Sequence, residues 1–65
     1  MTWELYEVWS EDDVGHQELV DTTNSLKEAK ELAKNTLELE GIEAVTIFQE
    51  LDNGDTVEIE RLTLY

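Results

Sequence analysis

Apolar and polar positions along this 65-residue chain change period twice, and the changes mark out five elements. Thr2 to Ser10, TWELYEVWS, is rich in aromatic and branched side chains and predicts a first strand. One phase holds Trp3, Leu5, Glu7 and Trp9, and the other holds Glu4, Tyr6 and Val8, so both faces carry apolar groups. The acidic, glycine-bearing EDDVGHQ that follows predicts a hairpin connection. His16 to Thr22, HQELVDT, then returns as a second strand, polar enough for a sheet edge.

The period next becomes helical. In SLKEAKELAKNTLELEG, Leu26, Ala29, Leu32, Ala33, Thr36 and Leu37 fall on one side, and Lys27, Lys30, Glu31, Lys34 and Glu38 on the other. Ser25 and Glu28 have capping-box spacing, which fixes the start. Gly41, followed by Ile42, fixes the stop, because glycine takes up the left-handed conformation that closes a helix. Lys27 with Glu31 and Lys34 with Glu38 stand at i,i+4 spacing on the wet side.

Beyond Gly41, IEAVTIFQEL predicts a third strand, DNGD a tight turn and TVEIERLTLY a fourth strand. Asn53-Gly54 supplies the two positive-φ positions of a type I′ turn. In the third strand Val45, Ile47 and Leu51 share one phase, and Ile42, Ala44 and Phe48 the other. In the fourth, Val57 and Ile59 precede a switch to Leu62 and Leu64. Either a bulge near Glu60-Arg61 changes the phase, or both faces of that strand are covered.

The expected fold is therefore α+β, a four-stranded, mostly antiparallel sheet with one helix on one face, in the order ββαββ. Residues 1–65 make a single small domain. A right-handed crossover puts strands one and four in the middle, parallel to each other. That arrangement resembles the small immunoglobulin-binding domains of streptococcal protein G, in element order alone, and the resemblance implies a fold and no function. The passage SLKEAKELAKNTLEL resembles the ββα half of HicB-type antitoxins over about a quarter of the chain, and no residue role is carried over from it.

Composition narrows the function classes. Seventeen acids against four basic residues give a net charge of -13, unevenly spread. From Ser25 to Glu40 three lysines nearly balance four glutamates, whereas the rest of the chain sets thirteen acids against Arg61 alone. Such a field repels phosphates and anionic lipid and attracts basic protein surfaces, so direct nucleic-acid binding and membrane binding are not expected. Cysteine is absent and histidine single, which leaves no ligand set for a structural zinc and no disulfide. A core this short is marginal, and a second subunit is the remaining means of support. No apolar run reaches the roughly 20 residues of a membrane span, and MTWELYEVW lacks the regions of a signal peptide, so a cytoplasmic location is expected.

Candidate chemistry is sparse. The acidic turns Glu11-Asp12-Asp13 and Asp52-Asn53-Gly54-Asp55 lie at opposite ends of the sheet, and neither has EF-hand spacing. They read as ordinary turns, whose geometry itself selects Asp, Asn and Gly. His16 has no serine, cysteine or second histidine at a meaningful spacing. Glu4, Glu7, Glu58 and Glu60 stand at strand spacing and can form a carboxylate pair across the neighbouring central strands, but such a sheet offers no cleft for acid-pair hydrolysis, so they read as solvated strand glutamates.

The aromatic residues carry more. Trp3, Tyr6, Trp9, Phe48 and Tyr65 all lie on predicted strands, and one helix with a narrow apolar stripe cannot cover both sheet faces. Unless bulges gather these rings into one core, they form a partner surface on the open face. The expected protein is thus a non-catalytic interaction module, without cofactor or metal, that self-associates as a homodimer through its sheet. The alternative is an acidic mimic of nucleic acid that occupies the groove of a basic nucleic-acid-binding protein.

Overall fold

The alternating segments at the two ends of the chain pair into one antiparallel sheet, and the helical segment between them lies on one of its faces. The computed structural model describes residues 4–64. The elements are β1 (Leu5–Asp12), β2 (Gln17–Thr23), α1 (Leu26–Leu37), β3 (Ile42–Glu50) and β4 (Thr56–Thr63). The ββαββ order and the single helix are as the sequence predicts.

Strand order differs from the sequence-based expectation. The sheet runs β2-β1-β3-β4, so β1 and β3 are central, and β4 is an edge rather than a partner of β1. All three neighbouring pairs are antiparallel. With β2 and β3 both antiparallel to β1, α1 carries the chain across β1 from one flank to the other. The physical reason lies in β3. Ala44, Val45, Thr46 and Ile47 are all buried, a run that needs a strand neighbour on each side. By contrast β4 is exposed along nearly its whole length and carries Glu58, Glu60 and Arg61, which suits an edge.

The core lies between α1 and the central strands. Val8 and Ile47 stand opposite each other in the β1–β3 register, and together with Tyr6, Val45, Ala29 and Ala33 they form the buried cluster. The two alanines are fully buried, and their size lets the helix backbone sit close to the sheet. Leu26, Leu32, Leu37, Ile42 and Leu62 close the rim. The wet side of the helix holds its five predicted residues exposed. From that side Lys30 forms an ion pair with β4, its Nζ 3.9 Å from Glu60 Oε2.

Three bulges tune which residues face the helix. The register slips once in each strand pair, leaving Val20, Glu43 and Ile59 as the extra residues. The slip at Ile59 supplies the phase change of the fourth strand, one residue before the Glu60-Arg61 position that the pattern suggested. It places Val57 opposite Gln49 and Leu62 opposite Val45, all on the helix side. The slip at Glu43 likewise turns Ile42 to the core.

Both hairpins use the same turn. Asp12 N–H donates to the His16 carbonyl at 3.1 Å and Gly15 N–H to the Asp12 carbonyl at 3.1 Å; Leu51 with Asp55 (2.7 Å) and Gly54 with Leu51 (3.0 Å) repeat the pattern. Gly15 and Gly54 have φ of 86° and 88°, and among the described residues no non-glycine has positive φ. The loop around Asn53 is thus a three-residue connection with glycine in the left-handed position, not the type I′ turn predicted, since Asn53 keeps negative φ. Asn53 serves through its side chain instead, its Oδ1 accepting from Asp55 N–H at 3.1 Å.

The helix start is more elaborate than a capping box. Ser25 Oγ accepts from Glu28 N–H at 3.4 Å, but the Glu28 carboxylate does not return to the Ser25 amide. Thr23 stands between them. Ser25 N–H donates to Thr23 Oγ1 at 3.3 Å, and the Thr23 hydroxyl donates to Glu28 Oε2 at 2.9 Å. At the other end the helix stops at Leu37, four residues before Gly41. Leu39 N–H donates to the Thr36 carbonyl (3.0 Å) and Ile42 N–H to the Leu39 carbonyl (3.3 Å), so i→i+3 bonds tighten the exit. Gly41, with φ of 90°, shapes the entry to β3 rather than closing the helix.

Candidate functional site

Residues opposite one another across an antiparallel sheet share a face, so the register gives the composition of the face that α1 does not cover. Its rows, from one end to the other, are Gln17, Glu11, Ala44 and Thr63; Leu19, Trp9, Thr46 and Arg61; Thr22, Glu7, Phe48 and Glu58; and Leu5, Glu50 and Thr56. Trp9 and Phe48 are diagonal neighbours on the two central strands. Both are half-buried, which for such large rings leaves appreciable area in reach of a partner.

The polar groups at one end are already committed. Arg61 reaches across β3, its Nη1 donating to Thr46 Oγ1 at 3.3 Å and its Nη2 to Glu11 Oε2 at 3.1 Å. Gln17 Nε2 donates to the other oxygen, Glu11 Oε1, at 3.0 Å. One residue from each strand joins this belt, which ties the sheet crosswise through residues 50 positions apart. The Gln17 bond first, and the Arg61 bond after it, hold the Glu11 carboxyl below its ordinary range.

The middle is less committed. Trp9 Nε1–H donates to Glu7 Oε1 at 3.0 Å, which fixes the indole along the face. Among the described residues, Arg61 is the one cation on this side, and no ion pair reaches Glu7, Glu50 or Glu58. Glu7, Trp9, Gln17, Phe48 and Thr56 line a shallow, open depression of about 200 Å³.

Tyr6 leaves the aromatic set that the sequence assembles. It is 5% exposed and packs in the core beneath the helix, because the even phase of β1 faces α1. Its hydroxyl donates to Glu4 Oε2 at 3.3 Å, and burial first, with Glu4 second, pushes its phenol pKa up. Trp3 and Tyr65 lie outside the described residues. Of the five candidates, the structure brings together Trp9 and Phe48. Leu19 and Glu50 join them on the open face, and they were missed because bulges and register, not local pattern, decide which strand phase is shared.

The remaining candidates separate. Glu7 and Glu58 occupy one row with Phe48 between them, Glu60 pairs with Lys30 on the helix side, and Glu4 accepts from Tyr6. The acid pair imagined across neighbouring first and fourth strands does not form, since β3 lies between those strands. Asp12 is spent on its own turn, its Oδ1 accepting from Val14 N–H at 3.1 Å and His16 N–H at 2.8 Å. His16 is exposed, with Nε2 3.7 Å from Glu18 Oε1. Among the described residues no group of three or more acids or histidines is placed to hold a metal ion, and no helix is long and apolar enough to cross a membrane. Comparison with protein-family models, with curated proteins and with solved structures finds no match.

Proposed function

We propose that this protein is a non-catalytic interaction module that binds a basic protein surface through the open face of its sheet. One observation carries the reading: that face presents Trp9 and Phe48 among four glutamates, Glu7, Glu11, Glu50 and Glu58, against a single arginine. Tryptophan is among the residues most enriched in binding hot spots, and a rim of charge supplies orientation and speed of encounter.

Charge also weighs the occupant. Two copies meeting face to face would bring eight of these carboxylates together with two arginines, and like charges in apposition cost several kcal/mol. Edge pairing is blunted too, since β2 and β4 each carry a bulge and acidic side chains, devices that discourage strand addition. A basic partner removes both objections. Mimicry of nucleic acid is one form this binding would take, with the -13 net charge steering the encounter.

The test is capture on the immobilised protein at low and at high salt, alongside sedimentation across concentration. A basic partner retained at low salt, released by salt and lost with W9A is expected. A salt-insensitive partner, or a dimer that shields Trp9 from quencher, overturns the reading.

A further inference from the structure

We infer that the depression between Trp9 and Phe48 is a slot for one arginine side chain of the partner, an inference that rests on the basic-partner reading above. Its size comes first. At about 200 Å³ and open, it falls below the roughly 300–1,000 Å³ usual for pockets that enclose small molecules, yet it admits a single extended side chain.

Its chemistry comes second. Phe48 is flanked in its own row by Glu7 and Glu58, and Glu7 lines the depression beside the two rings. The Glu7 carboxylate is held in place by the Trp9 indole N–H through Oε1, and an ionised carboxylate retains acceptor capacity after one such bond. No cation among the described residues ion-pairs with either glutamate. A guanidinium suits this combination better than an ammonium. It is planar, stacks on aromatic rings, gives a carboxylate two parallel hydrogen bonds and is more weakly hydrated. The same face already holds one guanidinium, Arg61, which gives one hydrogen bond to Thr46 and one to Glu11.

The probe is a capped hexa-arginine peptide, with capped hexa-lysine as a comparator of equal charge, titrated into the intact protein by NMR. The Trp9 indole resonance is assigned from the W9F variant. Hexa-arginine is expected to shift that indole and the Phe48 ring signals, and to bind about fivefold more tightly than hexa-lysine. F48L and, independently, E7Q should reduce that ratio towards one; E7Q keeps side-chain size and so tests the slot even if F48L perturbs folding. Equal affinities with shifts scattered over the acidic surface overturn the slot and leave the basic-partner reading standing. No binding of either peptide at low salt overturns both.

Discussion

Replacing Ile47 with valine and, separately, Ile59 with valine makes one chemical change at two positions that the fold treats oppositely. Each substitution removes a single methylene and leaves strand preference nearly unchanged, since both residues are β-branched. Ile47 is 0% exposed, opposite Val8 on the central pair and beneath Ala29 and Ala33, whereas Ile59 is the bulged residue of the β4 edge and 39% exposed. A methylene taken from a fully packed site costs about 1 kcal/mol, within the usual range of 0.5–1.5. At the edge, water already reaches the side chain and the cost stays within about 0.5 kcal/mol. A 65-residue chain has roughly 3–10 kcal/mol of stability in all, so the first loss is easily measured. Urea unfolding followed by far-ultraviolet circular dichroism is the assay. I47V should lower the midpoint at unchanged slope and reduce Tm by about 4–8 °C, while I59V should hardly move it. Equal losses would refute the reasoning, because they would mean that β4 is covered as thoroughly as β3.

Strand order has its own check: cross-strand NOEs should join Val8 to Ile47 and Ser10 to Val45, and no backbone-to-backbone NOE should join β1 to β4, which β3 separates. G54A should cost about 1–2 kcal/mol from backbone alone, since φ is +88° and an added Cβ meets nothing within 4 Å; a smaller loss with G54N would support that cause, and no loss with alanine would refute it. T23V breaks the relay between Ser25 and Glu28, and S25A removes the cap oxygen at a cost of about 1 kcal/mol; calorimetry should find their combined loss less than additive, because both act on one network. Glu11 titrates below its ordinary range in the fold, so its share of stability is present above the unfolded pKa and lost as pH falls through the folded one. Q17A and R61M should each move its carboxyl titration upward in carbon-13 NMR, and an unmoved Glu11 would count against the belt.

Local chemistry alone marked the helix and the hairpins. Ala29, Ala33 and Thr36 are buried as their 3.6-residue period requires, with Leu26, Leu32 and Leu37 beside them, and Gly15 and Gly54 fall where the chain must reverse. These features depend on residues a few positions apart, so the sequence by itself determined the five elements, the apolar side of the helix and the uneven charge. Tertiary structure decided what depends on partners far along the chain. Whether β1 pairs with β3 or β4 follows from which strand can be covered on both sides, and that is a competition between whole segments. The bulges at Val20, Glu43 and Ile59 then set the register, and with it the company each ring keeps. For that reason Tyr6 went to the core, Trp9 and Phe48 met on the open face, and Glu11 found Arg61 across three strands.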